Sequence, residues 1–308
     1  MSGDVGEFER RKICDQVDRI LRDLSVSEPP VRLEDVRALL KLDLKFYQSS
    51  DPGIVTELAH RFTLFAKKTI PDVGKHLASA LAKSRLCAFW VPDDSRILID
   101  ETVPQPKHRW IEAHEIIHSV TPWHREFLLG DNAFTLEPSC HATLEAEANF
   151  GGSRLLFLQD LFSREARDLD LSFKSIQALG KRYSNSMVST FWRMVEDRDP
   201  SLPIFGMISC HPRHPAIGKH DGPDPWRYFI RSAAFKTQFS NVTPSQAYLL
   251  VSAHVDNRTR GPVLSADDVI VDVSGTQWEF HMEAFSNTHC VMTYGVAAKP
   301  RKTIVVRS

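Results

Sequence analysis

The chain has 308 residues, 42% of them apolar and 25% charged, which is ordinary for a soluble globular protein able to bury a sizeable core in one or two domains. A formal net charge of −1 argues against bulk attraction to nucleic acid or to an anionic membrane. Five scattered cysteines, Cys14, Cys87, Cys140, Cys210 and Cys290, form no CxxC pair and point to free thiols in a reducing compartment rather than to a disulfide scaffold.

The opening residues, MSGDVGEFERRK, are too charged for a signal peptide, and no apolar run is long enough for a membrane span. A cytoplasmic protein without membrane contact is therefore expected. Residues 7–24 place Phe8, Ile13, Val17, Ile20, Leu21 and Leu24 at helical spacing, so residues 1–30 read as an N-terminal amphipathic helix stopped by Ser27-Glu28-Pro29-Pro30. Its apolar face is expected to serve packing. Further helices are expected at 33–42 and within 53–68. Two short apolar runs, 86–91 and 96–100, flank the turn signal Pro92-Asp93-Asp94-Ser95 and read as a β-hairpin. An exposed edge strand in such a place can hold an extended peptide by main-chain hydrogen bonds.

The next element carries the chemistry. His114-Glu115-Ile116-Ile117-His118 fits H-E-x-x-H within a helix expected over 108–119. Residues four apart lie on one helical face, so both imidazoles can meet one zinc ion. Glu115 points about 100° round the helix from His114, beside the metal without ligating it, where it can act as general base. The competing reading is a plain amphipathic helix with two surface histidines. Helical flanks, the stop at Pro122 and a later acidic helix favour the metal site. That acidic helix, 142–158, carries Glu145, 27 residues after His118, which shares a face with Ala148 and Asn149. Glu145 is the expected third ligand, and Glu147, pointing elsewhere, the second choice. Gly151-Gly152 within the helix costs about 1 kcal/mol each relative to Ala, a cost that close approach to a neighbouring helix would justify.

HEIIH, a loop, E-A-E-A-N and a Leu-Leu pair together resemble the ImmA/IrrE family of zinc metallo-endopeptidases. The match is strengthened by residues 169–195, which look like the family's helix-turn-helix-like element, and it covers roughly residues 30–205. The resemblance implies an α+β fold, a mostly helical zincin-like metallopeptidase domain with a small sheet. It implies Zn2+ held by His114, His118 and Glu145, with Glu115 as the catalytic base. Family members act on repressor proteins in stress and mobile-element control, which implies a protein substrate, a DNA-binding repressor among the candidates. The sequence departs from the family where Phe150 directly follows Asn149 and where Phe157-Leu158 follows the Leu-Leu pair. These changes touch helix packing more than ligands.

The 169–195 element carries moderate basic charge, Lys174, Lys181, Arg182 and Arg193, so packing rather than direct nucleic-acid binding is expected. The metallopeptidase domain is thus placed at 31–200. Prolines 200, 203, 212, 215, 223 and 225 then suggest a linker over 201–225. Cys210, His211, His214 and His220 fit no structural zinc spacing. Strand-like runs at 247–251, 269–273, 278–282 and 303–306 suggest a β-rich domain over 226–308 for sensing or substrate recognition, with His254, His281 and His289 as structural residues.

The expected function is zinc-dependent hydrolysis of a peptide bond in a specific protein. His141, His124 and Tyr183 are candidates for stabilising the oxyanion. The alternatives are a non-cleaving regulatory protein with a structural zinc, and a zinc hydrolase of a non-peptide amide.

Overall fold

The structure, a computed structural model, describes residues 5–48, 88–91, 95–124 and 138–301. The expected helix within 53–68, the hairpin tip at 92–94 and the strand at 303–306 lie outside the described residues. The architecture is α+β, in two compact units. One comprises Met1–Leu161 with Arg182–Asn185, and the other Phe162–Lys181 with Ser186–Ser308.

In the first unit, α1 (Glu7–Asp23) buries Ile13, Val17, Ile20 and Leu21 along one face, as the spacing requires. α2 (Leu33–Leu40) follows, ended by Lys41 in the left-handed conformation. Three short strands, β1 (Asp43–Tyr47), β2 (Ala88–Val91) and β3 (Arg96–Asp100), form a sheet in the order β1-β3-β2. β1 runs parallel to central β3 and β2 runs antiparallel to it, so β2 is an edge strand among the described residues. α3 (Gln105–Val120) carries the H-E-x-x-H motif and packs against both β2 and β3. Ala113, Ile116 and Ile117 are its fully buried face, while Trp110 is half-buried. Arg37 Nε donates to Glu112 Oε1 at 2.6 Å, and Arg109 donates to the Val31 carbonyl at 2.8 Å, tying α3 to α2 and to the segment before it.

α4 (Pro138–Leu156) packs along α3 and against α1. Its two glycines explain the closeness. A Cβ on Gly151 would lie 2.7 Å from an Ile117 methyl and 2.8 Å from an Ile13 methyl. A Cβ on Gly152 would lie 3.3 Å from the His114 backbone nitrogen. The helix propensity lost at these positions is therefore exchanged for direct seating of α4 on α3.

The second unit holds α5 (Asp160–Arg167, which begins in the first unit), α6 (Phe173–Arg182), α7 (Met187–Glu196), α8 (Ala233–Gln238) and α9 (Pro244–His254). Its sheet is wholly antiparallel, in the order β5-β4-β8-β7-β6, from β4 (Ile204–Ser209), β5 (Trp226–Arg231), β6 (Arg260–Val271), β7 (Gln277–Asn287) and β8 (Val291–Pro300). α7 packs on β4, where Gly206 makes room for Val195 and Phe191. Phe173 of α6 meets Phe285 and Tyr294 on the same side. Phe205, Phe235, Phe239, Phe280 and Val251 form the other core, under α8 and α9.

Three expectations change here. The supposed linker at 201–225 contains β4, buried at every position and lying inside the sheet, because its prolines flank a strand rather than interrupt it. The helix pair expected to close a 31–200 domain falls mostly within the second compact unit, so the division does not lie at residue 200. The run 247–251 is helical, not extended. Pro244 sits in the first turn, and a capping box joins the Thr243 hydroxyl to the Gln246 N–H and the Gln246 side chain to the Thr243 N–H. Among the described residues no helix is long and apolar enough to cross a membrane.

Two stability predictions follow from this packing. Gly151→Val overpacks the α3–α4–α1 contact and should cost about 1–3 kcal/mol in urea unfolding. Asp272 accepts from Ser274, Thr276, Trp278 and Gln238, and these bonds, Ser274's foremost, hold its carboxyl well below the usual carboxylate range. A depressed carboxyl stabilises the fold above the ordinary value of 3.8, and that stability is lost as pH falls toward the folded value. Asp272→Asn should therefore lower the thermal midpoint at pH 7, by a margin that narrows below pH 3.8.

Candidate metal centre

α3 presents His114 and His118 one turn apart, and α4 brings Glu145 to the same point. His114 Nε2 lies 3.1 Å from His118 Nε2, 3.3 Å from Glu145 Oε2, and His118 Nε2 lies 3.6 Å from Glu145 Oε1. These three residues form a group that can hold a metal ion, with their donor atoms all within 4.8 Å of one another. The spacing fits the chemistry. Ligands about 2.0–2.1 Å from a tetrahedral ion sit roughly 3.3 Å apart, close to the three separations seen.

The second nitrogen of each ring is engaged as well. His114 Nδ1 lies 3.2 Å from Asn149 Oδ1, so Nδ1–H donates and the Nε2 lone pair faces the other donors. Asn149 is four residues after Glu145, on the same face of α4. On the far side of His118, its Nδ1 lies 2.9 Å from His124 Nδ1, and His124 Nε2 lies 2.8 Å from Glu147 Oε2. Trp123 Nε1 donates to that same oxygen at 2.6 Å.

Electrostatics at the centre are shaped by burial. Desolvation pulls His118 down to about 4, keeping the ring neutral as a ligand must be. Burial also acts against the Glu145 carboxylate, but the His114 and His118 imidazoles that face it outweigh burial and hold the group far below the usual range. Burial works against His114 too, and the facing Glu145 carboxylate more than compensates, raising it. Glu115 is buried under the edge strand. Desolvation pushes it up to about 7, opposed by the charge of His114 and by a hydrogen bond from the Trp90 backbone N–H.

All four residues singled out from the motif and the acidic helix are thus brought together. Glu147 is not a ligand: it turns to Trp123 and His124. His124 has both ring nitrogens engaged, which removes it as an oxyanion donor. Tyr183 is fully buried beside Phe157, and the His141 side chain lies outside the described residues. His211 bonds the Arg258 carbonyl and the Arg213 N–H, and His214 bonds the Asn257 carbonyl, so these rings fasten a loop instead of forming a second metal site. The role of the Trp123-His124 pair, on a helical turn at 122–124 begun by Pro122, was the feature sequence reasoning missed. The only cue was a proline restarting a helix four residues after a ligand.

No family model and no curated protein matches the chain. Among solved structures, a Mycobacterium tuberculosis transcriptional regulator is similar with a TM-score of 0.50 and 11% identity, over 93% of this chain and 87% of that one. At that identity the likeness bears on the fold alone.

The donor set predicts that equilibrium dialysis against zinc or cobalt will load one ion per chain. Glu145→Ala should weaken binding by more than the roughly 10–100-fold that loss of an outer partner costs.

Proposed function

We propose that this protein is a zinc-dependent endopeptidase of zincin-like architecture, as the resemblance to the ImmA/IrrE family implies, acting on a specific protein. The observation that carries the reading is the placement of Glu115. It lies next to one histidine of a converging His-His-Glu donor set, buried, and bonded to the main chain of an edge strand. A merely structural metal site has no use for a carboxylate there.

A zinc ion held by His114, His118 and Glu145 supplies Lewis acidity and an acidified water near neutral pH. The remaining work falls to the chain. Glu115, pushed by burial to about 7, can accept a proton from the attacking water and pass it to the departing nitrogen at physiological pH. β2, an edge strand among the described residues and packed against α3, is where an extended peptide would be laid across the site. A DNA-binding repressor is the substrate class that the family resemblance favours.

The test is Glu115→Gln, assayed by mass spectrometry against DNA-binding repressors of the same cell. The variant should bind zinc as the parent does, while cleavage falls by about 10²–10⁴-fold. Equal cleavage by both proteins would remove Glu115 from the reaction. Full zinc binding with no cleavage by either would favour a regulatory protein with a structural metal.

A further inference from the structure

The buried chain Glu147–His124–His118 does something that metal ligation by His118 alone does not require. Trp123 Nε1 is a donor only, so Glu147 Oε2, 2.6 Å away, accepts from it. As a carboxylate the same oxygen also accepts from His124 Nε2, at 2.8 Å. With its proton on Nε2, neutral His124 has a bare Nδ1. That atom lies 2.9 Å from His118 Nδ1, a contact that is attractive only if one of the two nitrogens carries a hydrogen. With both rings neutral the hydrogen is then on His118, whose Nε2 is left as a lone pair facing His114 Nε2 and Glu145, a convergence of acceptors that a bound cation would satisfy.

We propose that Glu147 and His124 are positioning residues that fix the His118 proton on Nδ1 and so present Nε2 as a metal ligand. The proposal rests on the metal-centre reading above. Burial makes the device effective. His124 is 0%, Glu147 3% and His118 6% exposed, so water cannot substitute for a missing member and the bonds polarise one another. The two ligand histidines are thereby unequal. His114 leans on one neutral amide at 3.2 Å, whereas His118 is backed through His124 by a carboxylate. Pairs of this kind orient a ligand ring and raise its basicity.

Three variants test it, each checked for parental folding by circular dichroism. Glu147→Gln keeps the shape but can turn an amide N–H₂ toward His124 Nε2, reversing the bond direction. His124→Leu removes the acceptor for His118. His124→Gln restores one, since its carbonyl can accept from His118 while its amide donates to Glu147. Zinc affinity, read by competition with a chromophoric chelator, should fall about 10–100-fold in the first two and stay within about threefold of the parent in the third. Nitrogen-15 spectra of the metal-free parent should show His118 protonated at Nδ1, moving to Nε2 in Glu147→Gln. An Nε2–H His118 in the metal-free parent, or unchanged affinity in Glu147→Gln and His124→Leu, overturns the relay. Failure of the parent to bind zinc while showing the Nδ1–H tautomer overturns instead the metal-centre reading on which the relay's purpose depends.

Discussion

The contact between α3 and α4 is what the site depends on. Two helices normally stand 8–10 Å apart, held off by the side chains between them. Here Gly151 and Gly152 leave nothing between the α4 backbone and Ile117, Ile13 and the His114 backbone. The approach lets short side chains on α4 reach atoms on α3. Glu145 meets both histidine rings, Asn149 meets the back of one of them, and Glu147 reaches the other through His124. A carboxylate two residues from Glu145 would ordinarily have nothing to do with the same site, because it points to the opposite side of its helix. It becomes part of the site because the His118 ring is served from both edges.

Much of this was readable in the sequence, for a physical reason. An H-E-x-x-H stretch encodes its own geometry, since helical periodicity alone puts His114 and His118 together and Glu115 beside them. The glycine pair announced close packing because glycine inside a helix is costly without a compensating contact. Glu145 needed only the shared face with Ala148 and Asn149. His124 was harder to read. Its importance comes from a helical turn restarted at Pro122, and a six-residue offset from His118 has no meaning in helical periodicity.

The second unit was less legible. The run Ala247-Tyr248-Leu249-Leu250-Val251 is as apolar as a buried strand, and composition does not separate the two cases. The capping box at Thr243 and Gln246 was the local evidence that it starts a helix. Prolines 200, 203 and 212 obscured β4, whose six residues are all buried in the interior of the sheet. A continuous apolar run bounded by prolines reads equally well as a linker or as a central strand. Burial decides between them, and burial is a property of the whole unit.

The hydrogen bond from Trp90 to Glu115 comes from the peptide backbone, not from the indole. Its donor therefore survives replacement of the side chain at position 90 by any residue type except proline, which lacks it. The group that opposes the burial-driven rise of the glutamate's pKa is thus written into the course of a strand and not into any codon's choice of side chain. Divergence that changes the side chains of β2 can proceed while that amide stays in place.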